Sequence, residues 1–226
     1  MKRLVMWDID RTLLIGGGAA IRAYANAFTA VTGVPWQRMA VTAGRTDRDI
    51  SAEIFAAHGI VDCEPHLDEF FAVYAREVHA NGHLFAEQGR LLPGVREVLV
   101  GLAERPHVVQ TLVTGNIAPV AAVKVAAFDL SWAFDADVGG YGTDDTVRAT
   151  LVRRSRERAE AKYGHPFDAV VVGDTVHDVA AALANGATAI GVATGSTDAA
   201  ELAAAGAHHV LADLSDVDAA IAVIAG

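Results

Sequence analysis

The 226-residue chain has one cysteine and six prolines, and it contains no apolar run near the roughly 20 residues that a membrane-spanning helix needs. The single cysteine, Cys63, cannot form a disulfide within the chain and suits a reducing compartment. The first apolar stretch ends at Asp8, which is too early for a signal peptide. These scarcities predict a soluble cytoplasmic protein that has no membrane partner.

Basic residues are also scarce: 18 lysines and arginines stand against 28 aspartates and glutamates, and the formal net charge is −10. Such a charge argues against nucleic acid and anionic membranes as main partners. Apolar residues make up 52% of the chain, which is typical of a compact globular protein. If the substrate is a phosphate, local cations must overcome the acidic field of the whole chain.

A pair of aspartates follows the first apolar run. Leu4–Trp7 is apolar on both faces and predicts a short buried strand, which leads into Asp8 and Asp10. Residues two apart share one face of a strand, so the two carboxylates repel each other unless a proton or a cation lies between them. Because Mg²⁺ prefers carboxylate and carbonyl oxygens, a metal site with a nucleophile is the favoured interpretation. A pair of helix caps or a solvated turn is the alternative.

The segment from about residue 16 to about residue 90 has no convincing strand. Three helices are predicted there: Ala19–Val31, a second that is capped by Thr46 or Asp47 and ends at Gly59, and Pro65–Ala80.

From Leu92 onward, strands and helices alternate. Strands are predicted at Val108–Val113, Phe134–Val138, Ala169–Val172, Ala189–Ala193 and His209–Leu211, and helices at Pro93–Leu102, Ile117–Phe128, Thr146–Tyr163 and Val176–Ala184. This alternation predicts an α/β protein with a doubly wound parallel sheet. Residues 1–15 and 92–226 would form this core, and residues 16–91 would form a helical cap inserted after the first strand.

Polar residues recur where the predicted strands end. Thr114-Gly115-Asn116 follows one strand, and Gly173-Asp174 follows another, with Asp178 four residues further on. Ligands of open α/β sheets bind outside the carboxyl ends of the strands, so these residues are candidates for the same site as Asp8. Taken alone, Thr114-Gly115-Asn116 is equally well interpreted as an ordinary helix cap.

Three segments in this order resemble the haloacid dehalogenase-like (HAD) hydrolase superfamily, specifically its phosphatase branch with a helical cap of the first type, as in phosphoglycolate phosphatase-like members. They are Asp8–Thr12, Val113–Asn116 and Gly173–Asp178. The resemblance spans nearly the full chain, because the helical insert lies where that family has its cap. It implies a HAD-like core fold and a phosphatase that needs Mg²⁺.

The resemblance also implies a role for each acid. Asp8 would be the nucleophile that becomes an aspartyl-phosphate, and Asp10 the general acid and base. The Asp8 carboxylate, the Asp10 backbone carbonyl and Asp174 would hold Mg²⁺. Asp178 would be a further acidic ligand or an outer residue that fixes water on the metal.

The phosphate-binding groups are predicted from the same comparison. Thr114 and the amides of Gly115 and Asn116 can bind phosphoryl oxygens, since a loop that leads into a helix presents free N–H groups. The family commonly supplies a cation from a Lys-Pro pair, which this chain lacks. Lys124 is the preferred substitute, Arg148 is its rival, and a lysine that snorkels from a half-buried helix face is the alternative for Lys124.

Two further residues are open to more than one interpretation. Arg11 stands where glycine is common in the family, and it either points to solvent or adds a positive charge near the phosphate. Arg45, in Gly44-Arg45-Thr46-Asp47, is a candidate substrate contact in the cap, and a solvated helix start is equally plausible.

Together these features predict a Mg²⁺-dependent phosphatase that hydrolyses a small phosphorylated metabolite through an aspartyl-phosphate. A phosphomutase of the same superfamily and a non-catalytic phosphate-binding regulatory protein on this fold are the alternatives.

Overall fold

The computed structural model describes residues 2–226. In chain order its strands are β1 (Arg3–Trp7), β2 (Leu14–Ile15), β3 (Arg90–Leu91), β4 (Val108–Leu112), β5 (Asp168–Gly173), β6 (Thr188–Val192) and β7 (His209–Leu211). Its α-helices are α1 (Ala19–Thr32), α2 (Asp47–Ala57), α3 (Glu64–Ala80), α4 (His83–Gln88), α5 (Val95–Ala103), α6 (Ala118–Ala126), α7 (Arg148–Tyr163), α8 (Val176–Ala184), α9 (Ala199–Ala204) and α10 (Val217–Ala225).

Five strands form one parallel sheet in the order β4-β1-β5-β6-β7. Two separate apolar clusters cover its faces, one with α5 and α10 and the other with α7 and α8. Helices on both faces of a parallel sheet are the doubly wound α/β arrangement. The predicted fold class is confirmed.

The first strand lies in the middle of this sheet because it is apolar on both faces. Residues 4–7 are completely buried, and Trp7 is in register with Leu112 of β4 and with Val172 of β5. The strands β4, β1 and β5 therefore end side by side at the carboxyl edge of the sheet. The polar residues that follow each strand are brought together there.

The prediction of a strand at Phe134–Val138 is wrong. Ala136–Val138 is a short 3-10 helix, and the Asp135 side chain caps it by accepting from the Asp137 amide. Beyond it, a single bridge joins Val113 to Gly140. The apolar residues of this segment suggested a strand, but the local cap competes with strand pairing, and the segment only touches the edge of the sheet.

The helical insert is joined to the sheet domain through the short antiparallel ribbon of β2 and β3. Leu14 pairs with Leu91, and Ile15 pairs with Arg90. The helices α1 to α4 lie between these two strands and share an aromatic core, in which the Phe28 and Phe55 rings meet edge to face at 5.1 Å. Helix α4 was not predicted, and neither were α9 and α10.

Helix α6 of the sheet domain takes part in the same aromatic core. Ile117 and Val120, at its beginning, are buried against the cap helices. The cap is therefore packed directly on the helix that follows Thr114-Gly115-Asn116. Within residues 2–226, none of the helices is long and apolar enough to cross a membrane.

Candidate active site

A pocket of about 440 Å³ lies between the carboxyl edge of the sheet and the cap. Loops after β1, β4 and β5 form its floor, and residues of α1 and the 39–45 segment form its cap side. All the candidate residues after β1 and β4 line it, together with Asp174, Lys124, Arg148 and Arg45.

Three buried carboxylates form a cluster, and two of them, Asp8 and Asp174, line this pocket. Asp8, Asp174 and Asp178 each offer an oxygen that lies within 4.8 Å of the other two, and the three residues are 6%, 2% and 2% exposed. Carboxylates this close repel each other strongly unless a cation neutralises them. The sequence prediction that these strand ends converge on one site agrees with this geometry.

Arg148, at the start of α7, provides one positive charge for this cluster. Its Nη2 atom donates to Asp8 Oδ1 at 2.7 Å. The same nitrogen lies 2.7 Å from Asp178 Oδ1, in an ion pair that lacks hydrogen-bond geometry. The guanidinium is buried, and the two carboxylates raise its pKa further above its usual value despite the opposing effect of burial.

The other oxygens of the cluster have different environments. Asp178 Oδ2 accepts from the Thr175 hydroxyl and amide, in the capping box that begins α8. Thr12 Oγ1 donates to Asp174 Oδ1 at 3.3 Å. Asp174 Oδ2 is buried and has no partner within the described chain. A buried carboxylate oxygen without a donor fits a metal ligand, because such an oxygen is otherwise costly to bury.

The protonation of the cluster follows from its burial. Burial raises the pKa of Asp8, and the neighbouring Asp178 and Asp10 add to this effect against the opposing Arg148. The pKa of Asp174 is raised by burial and by Asp8 and Asp178. One arginine does not neutralise three carboxylates, so the cluster favours a proton or a further cation.

A second charged group lies beside the first, around Asp10. Lys124 Nζ donates to both carboxylate oxygens of Asp10, at 2.7 and 2.6 Å, and to Asn116 Oδ1 at 2.7 Å. Asn116 Nδ2 donates to Asp10 Oδ2 at 2.8 Å. Burial acts to raise the pKa of Asp10, but Lys124 and Asn116 outweigh it and hold the pKa below its usual value.

The two candidate cations thus have separate partners. Lys124 forms an ion pair with Asp10, and Arg148 forms ion pairs with Asp8 and Asp178. Lys124 is 4% exposed and points into the pocket rather than to bulk solvent, so the snorkelling alternative does not describe it.

The loop Thr114-Gly115-Asn116 presents polar groups to the pocket between these clusters. The Thr114 hydroxyl accepts from Asn116 Nδ2 at 2.8 Å, which leaves its own proton free to be donated. Within the described residues, the Gly115 amide has no hydrogen-bond acceptor. A hydroxyl and a free N–H group before a helix suit an anion.

The cap touches this loop through its own backbone. The Asp47 amide donates to Gly115 O at 2.7 Å, and the Ile117 amide donates to Asp47 Oδ2 at 2.9 Å. A Cβ atom on Gly115 would overlap the Arg45 carbonyl oxygen, so only glycine allows this close approach. The carboxylate of Asp47 is therefore a helix cap for α6, supplied from the opposite side of the pocket.

Arg45 is placed at the pocket, but its guanidinium is engaged elsewhere. Its Nε atom donates to Asp49 Oδ2 at 2.6 Å, and Nη1 donates to Glu53 and to the Val41 carbonyl. In this arrangement the guanidinium is paired with carboxylates of α2, the helix that begins two residues later.

Sequence reasoning did not find two residues of the site. Thr12 lies within the first motif, which predicts no role for it, and its hydroxyl donates to Asp174. Asp47 was considered only as a possible cap of α2, where Thr46 is in fact the N-cap. No sequence signal links Asp47 to Ile117, which lies 70 residues further along the chain.

Comparison with known proteins supports the relationship that the motifs suggested. Residues 149–217 match the family model described as HAD-hydrolase-like, a segment that contains Asp174 and Asp178. Among curated protein sequences, none matches the chain significantly.

Several solved structures share the fold over nearly the whole chain. A predicted phosphatase from Clostridium acetobutylicum is 18% identical with a TM-score of 0.68, and the match covers 99% of each chain. A predicted phosphoglycolate phosphatase from Haemophilus somnus is 17% identical with a TM-score of 0.65 over 97% of each chain. A candidate β-phosphoglucomutase from Thermotoga maritima is 21% identical with a TM-score of 0.58, over 98% of this chain and 99% of that one. The resemblance to the HAD-like hydrolases is confirmed by the family model and by this shared fold.

Proposed function

We propose that this protein is a Mg²⁺-dependent phosphatase that hydrolyses a small phosphorylated metabolite through an aspartyl-phosphate on Asp8. The observation that carries the proposal is the buried cluster of Asp8, Asp174 and Asp178, in which Asp174 Oδ2 has no protein partner. The HAD-hydrolase-like match and the neighbours named as phosphatases support a hydrolase of this superfamily.

The charges of the pocket support a divalent cation. The buried cluster holds three carboxylates, Asp8, Asp174 and Asp178, and one cation, Arg148, while Asp10 and Lys124 pair with each other beside it. The formal excess is two negative charges, which a divalent cation neutralises. The side chains of Asp8, Asp174 and Asp178 would hold Mg²⁺, with the Asp10 backbone carbonyl as the further ligand that the family resemblance implies. When bound, Mg²⁺ would neutralise phosphoryl oxygens that otherwise repel the Asp8 carboxylate.

In the first step, an Asp8 carboxylate oxygen attacks phosphorus while the bond from phosphorus to the ester oxygen breaks. Arg148 fixes the Asp8 carboxylate through Oδ1 and favours its charged form. The Thr114 hydroxyl and the Gly115 amide bind phosphoryl oxygens. Asp10, in its protonated form, gives its proton to the departing oxygen.

In the second step, Asp10 takes a proton from water, and the water oxygen attacks phosphorus. The bond between phosphorus and Asp8 breaks, inorganic phosphate leaves, and Asp10 is protonated for the next cycle. Lys124 and Asn116 orient the Asp10 carboxylate and stabilise its charged form, which is the form that acts as the base.

The test is phosphate release from an aryl phosphate with Mg²⁺ and with a chelator. We expect activity only with Mg²⁺, and we expect Asp8→Asn to lower kcat by about a thousandfold or more, because the amide is not a nucleophile. Asp168→Asn is the matched control, since Asp168 pairs with Arg3 at the opposite end of the sheet. Activity that survives in Asp8→Asn would contradict the mechanism.

A phosphomutase is the alternative that a specific observation favours. The cap is hydrogen-bonded to the Gly115 loop, and a closed cap that excludes water leaves a substrate hydroxyl as the acceptor for the phosphoryl group. The Thermotoga maritima neighbour named as a candidate β-phosphoglucomutase agrees with this alternative. Isomerisation of a sugar phosphate without release of inorganic phosphate would identify a mutase. Phosphate binding without turnover of any ester would instead favour a regulatory protein.

A further inference from the structure

Arg11, directly after Asp10, has a backbone conformation that L-residues rarely adopt. Its φ is +63°, and within residues 2–226 only one other non-glycine residue, Asp129, has a positive φ. In this region the Cβ atom crowds the backbone, which is why glycine is usual there. The turn itself is needed, because the Arg11 amide donates to Leu14 O at 2.7 Å and so begins the β2–β3 ribbon. The choice of arginine at this position opposes the local backbone preference.

The side chain of Arg11 has nothing to bind within the protein. Arg11 is exposed and lines the pocket, and within the described residues its guanidinium makes no hydrogen bond and no ion pair. A strained, solvent-facing arginine at an active-site rim is the type of outlier that indicates a functional constraint. Among residues 2–226, the only long-range hydrogen bond of Arg11 is made by its carbonyl oxygen, which accepts from the Thr194 hydroxyl.

The other cations of the pocket are already engaged. Lys124 is held by Asp10, Arg148 by Asp8, and the cap residue Arg45 by Asp49 and Glu53. Arg11 is thus the one cation of the described pocket lining that is available to a second anionic group on a ligand.

On the cap side of the described pocket lining, the one cation is Arg45, which is already paired and does not compete with Arg11 for such a group. The cap side is mainly apolar, with Ile21, Met39 and Val41 among the lining residues. A leaving group that extends toward the cap would contact these apolar residues, and Arg11 would be the cation of the described lining that is available to a second anion on it.

We propose that Arg11 binds an anionic group on the leaving group of the substrate, a carboxylate or a second phosphate, and so selects substrates with two negatively charged ends. This inference rests on the proposed phosphatase function, because it takes the carboxylate cluster as the site of the transferred phosphate. In this proposal Arg11, rather than Arg45, is the residue that contacts the leaving group of the substrate.

The test measures binding with probes that the enzyme cannot hydrolyse. Alkylphosphonates of increasing chain length are compared by calorimetry with carboxyalkylphosphonates and alkylene bisphosphonates of the same lengths, in the presence of Mg²⁺. At the chain length that reaches Arg11, the probe with an anion at each end should bind to the native protein about tenfold more tightly than the alkylphosphonate of the same length. This factor is expected for one charged hydrogen-bonded contact. The carboxylate and phosphonate arms show which anion is preferred.

Four variants separate the role of the guanidinium from other effects. Arg11→Gln should abolish the tenfold ratio, and Arg11→Lys should retain most of it. Arg90→Gln, which removes an exposed arginine of β3 that belongs to the ribbon but not to the pocket lining, should leave the ratio unchanged. Arg11→Gly should lose the ratio and raise the thermal unfolding midpoint by a few degrees, because glycine relieves the positive φ.

Each remaining outcome decides against the proposal. An equal affinity of the native protein for both probe classes overturns it, and so does an Arg11→Gln variant that weakens all probes by the same factor. The latter result would place Arg11 at the transferred phosphoryl group. Failure of the phosphatase proposal is seen separately, as absence of Mg²⁺-dependent phosphate release, and it does not affect the ratio of binding constants.

Discussion

The pair of Asp10 and Lys124 creates opposing demands at the scale of single residues. Protonation of the leaving group needs Asp10 in its acid form, whereas the two contacts from Lys124 Nζ favour the carboxylate. The second step needs the carboxylate, and there the same contacts help. In the proposed mechanism, Lys124 would therefore set the pH range in which Asp10 alternates between its two forms.

Replacement of Lys124 makes this effect measurable. In Lys124→Gln, burial of Asp10 is no longer opposed by the ammonium group, so the pKa of Asp10 rises. The limb of the kcat–pH profile that reports Asp10 should move to higher pH, whichever of the two steps limits turnover. Lys162→Gln removes an exposed lysine that pairs with Asp135 and Asp137, and it should leave the profile in place. A limb that stays fixed in Lys124→Gln would show that Asp10 is not the titrating group.

At the scale of elements, the start of α6 depends on a residue of the cap. Its N-cap residue is Ile117, whose side chain cannot accept a hydrogen bond, and the Asp47 carboxylate accepts from the Ile117 amide instead. Burial raises the pKa of Asp47 from its usual 3.8 to about 6, because the hydrogen bond and Lys124 offset only part of the desolvation. The contact between cap and core thus contains a carboxylate that is costly to ionise.

The pH dependence of stability follows from this raised pKa. Ionisation of Asp47 lowers the free energy of unfolding by up to about 3 kcal/mol. This destabilisation is absent below about pH 4, develops as the pH rises to about 6, and stays constant above that value. Asp47→Asn keeps an acceptor for the Ile117 amide and removes the charge. Its free energy of unfolding should exceed that of the native protein at pH 8 but not at pH 4, as measured by denaturant titration.

A matched control for this prediction is Asp68→Asn, an exposed carboxylate on α3. This variant should differ little from the native protein at either pH. If Asp47→Asn destabilises the protein more at pH 8 than at pH 4, the ionised carboxylate is the stabilising form and the argument is wrong.

The sequence was sufficient to predict some elements of the fold but not others. Leu4–Trp7 is apolar on both faces, which is enough to predict a central parallel strand and to bring Asp8 to the carboxyl edge of the sheet. Phe134–Val138 alternates apolar residues with two aspartates, and the side chain of one of them, Asp135, caps a short 3-10 helix instead. The partners of Lys124 and Arg148 depend on where two helices begin in space, and no spacing in the sequence reports that.

At the scale of the whole molecule, the net charge of −10 and the acidic cluster both favour the binding of cations. The long-range field attracts divalent cations and opposes phosphate, so cation binding should precede substrate binding. Asp8 and Asp174 have raised pKa values because burial and mutual repulsion disfavour their ionised forms. Their protonation competes with a metal.

Mg²⁺ should therefore raise the thermal unfolding midpoint, and the rise should be larger at pH 8 than at pH 6, since the ligands must lose their protons to bind. Asp174→Asn should abolish the Mg²⁺-dependent rise while it raises the midpoint of the metal-free protein at pH 8, because one repulsive charge is removed. Scanning fluorimetry with Mg²⁺ and with a chelator measures both effects. A Mg²⁺ response that survives in Asp174→Asn would place the metal elsewhere.

The short ribbon of β2 and β3 has a consequence for the way such a chain can be assembled. The chain leaves the core at Leu14 and returns at Leu91, and these residues are paired neighbours, so their Cα atoms are about 5 Å apart. A two-residue hairpin turn suffices to close that gap. The intervening helices can thus be exchanged as a cassette without altering the path of the core, provided that the replacement again covers Ile117 and Val120. The cap side of the pocket could in this sense be replaced while Arg11 and the three clustered carboxylates remain in the sheet domain.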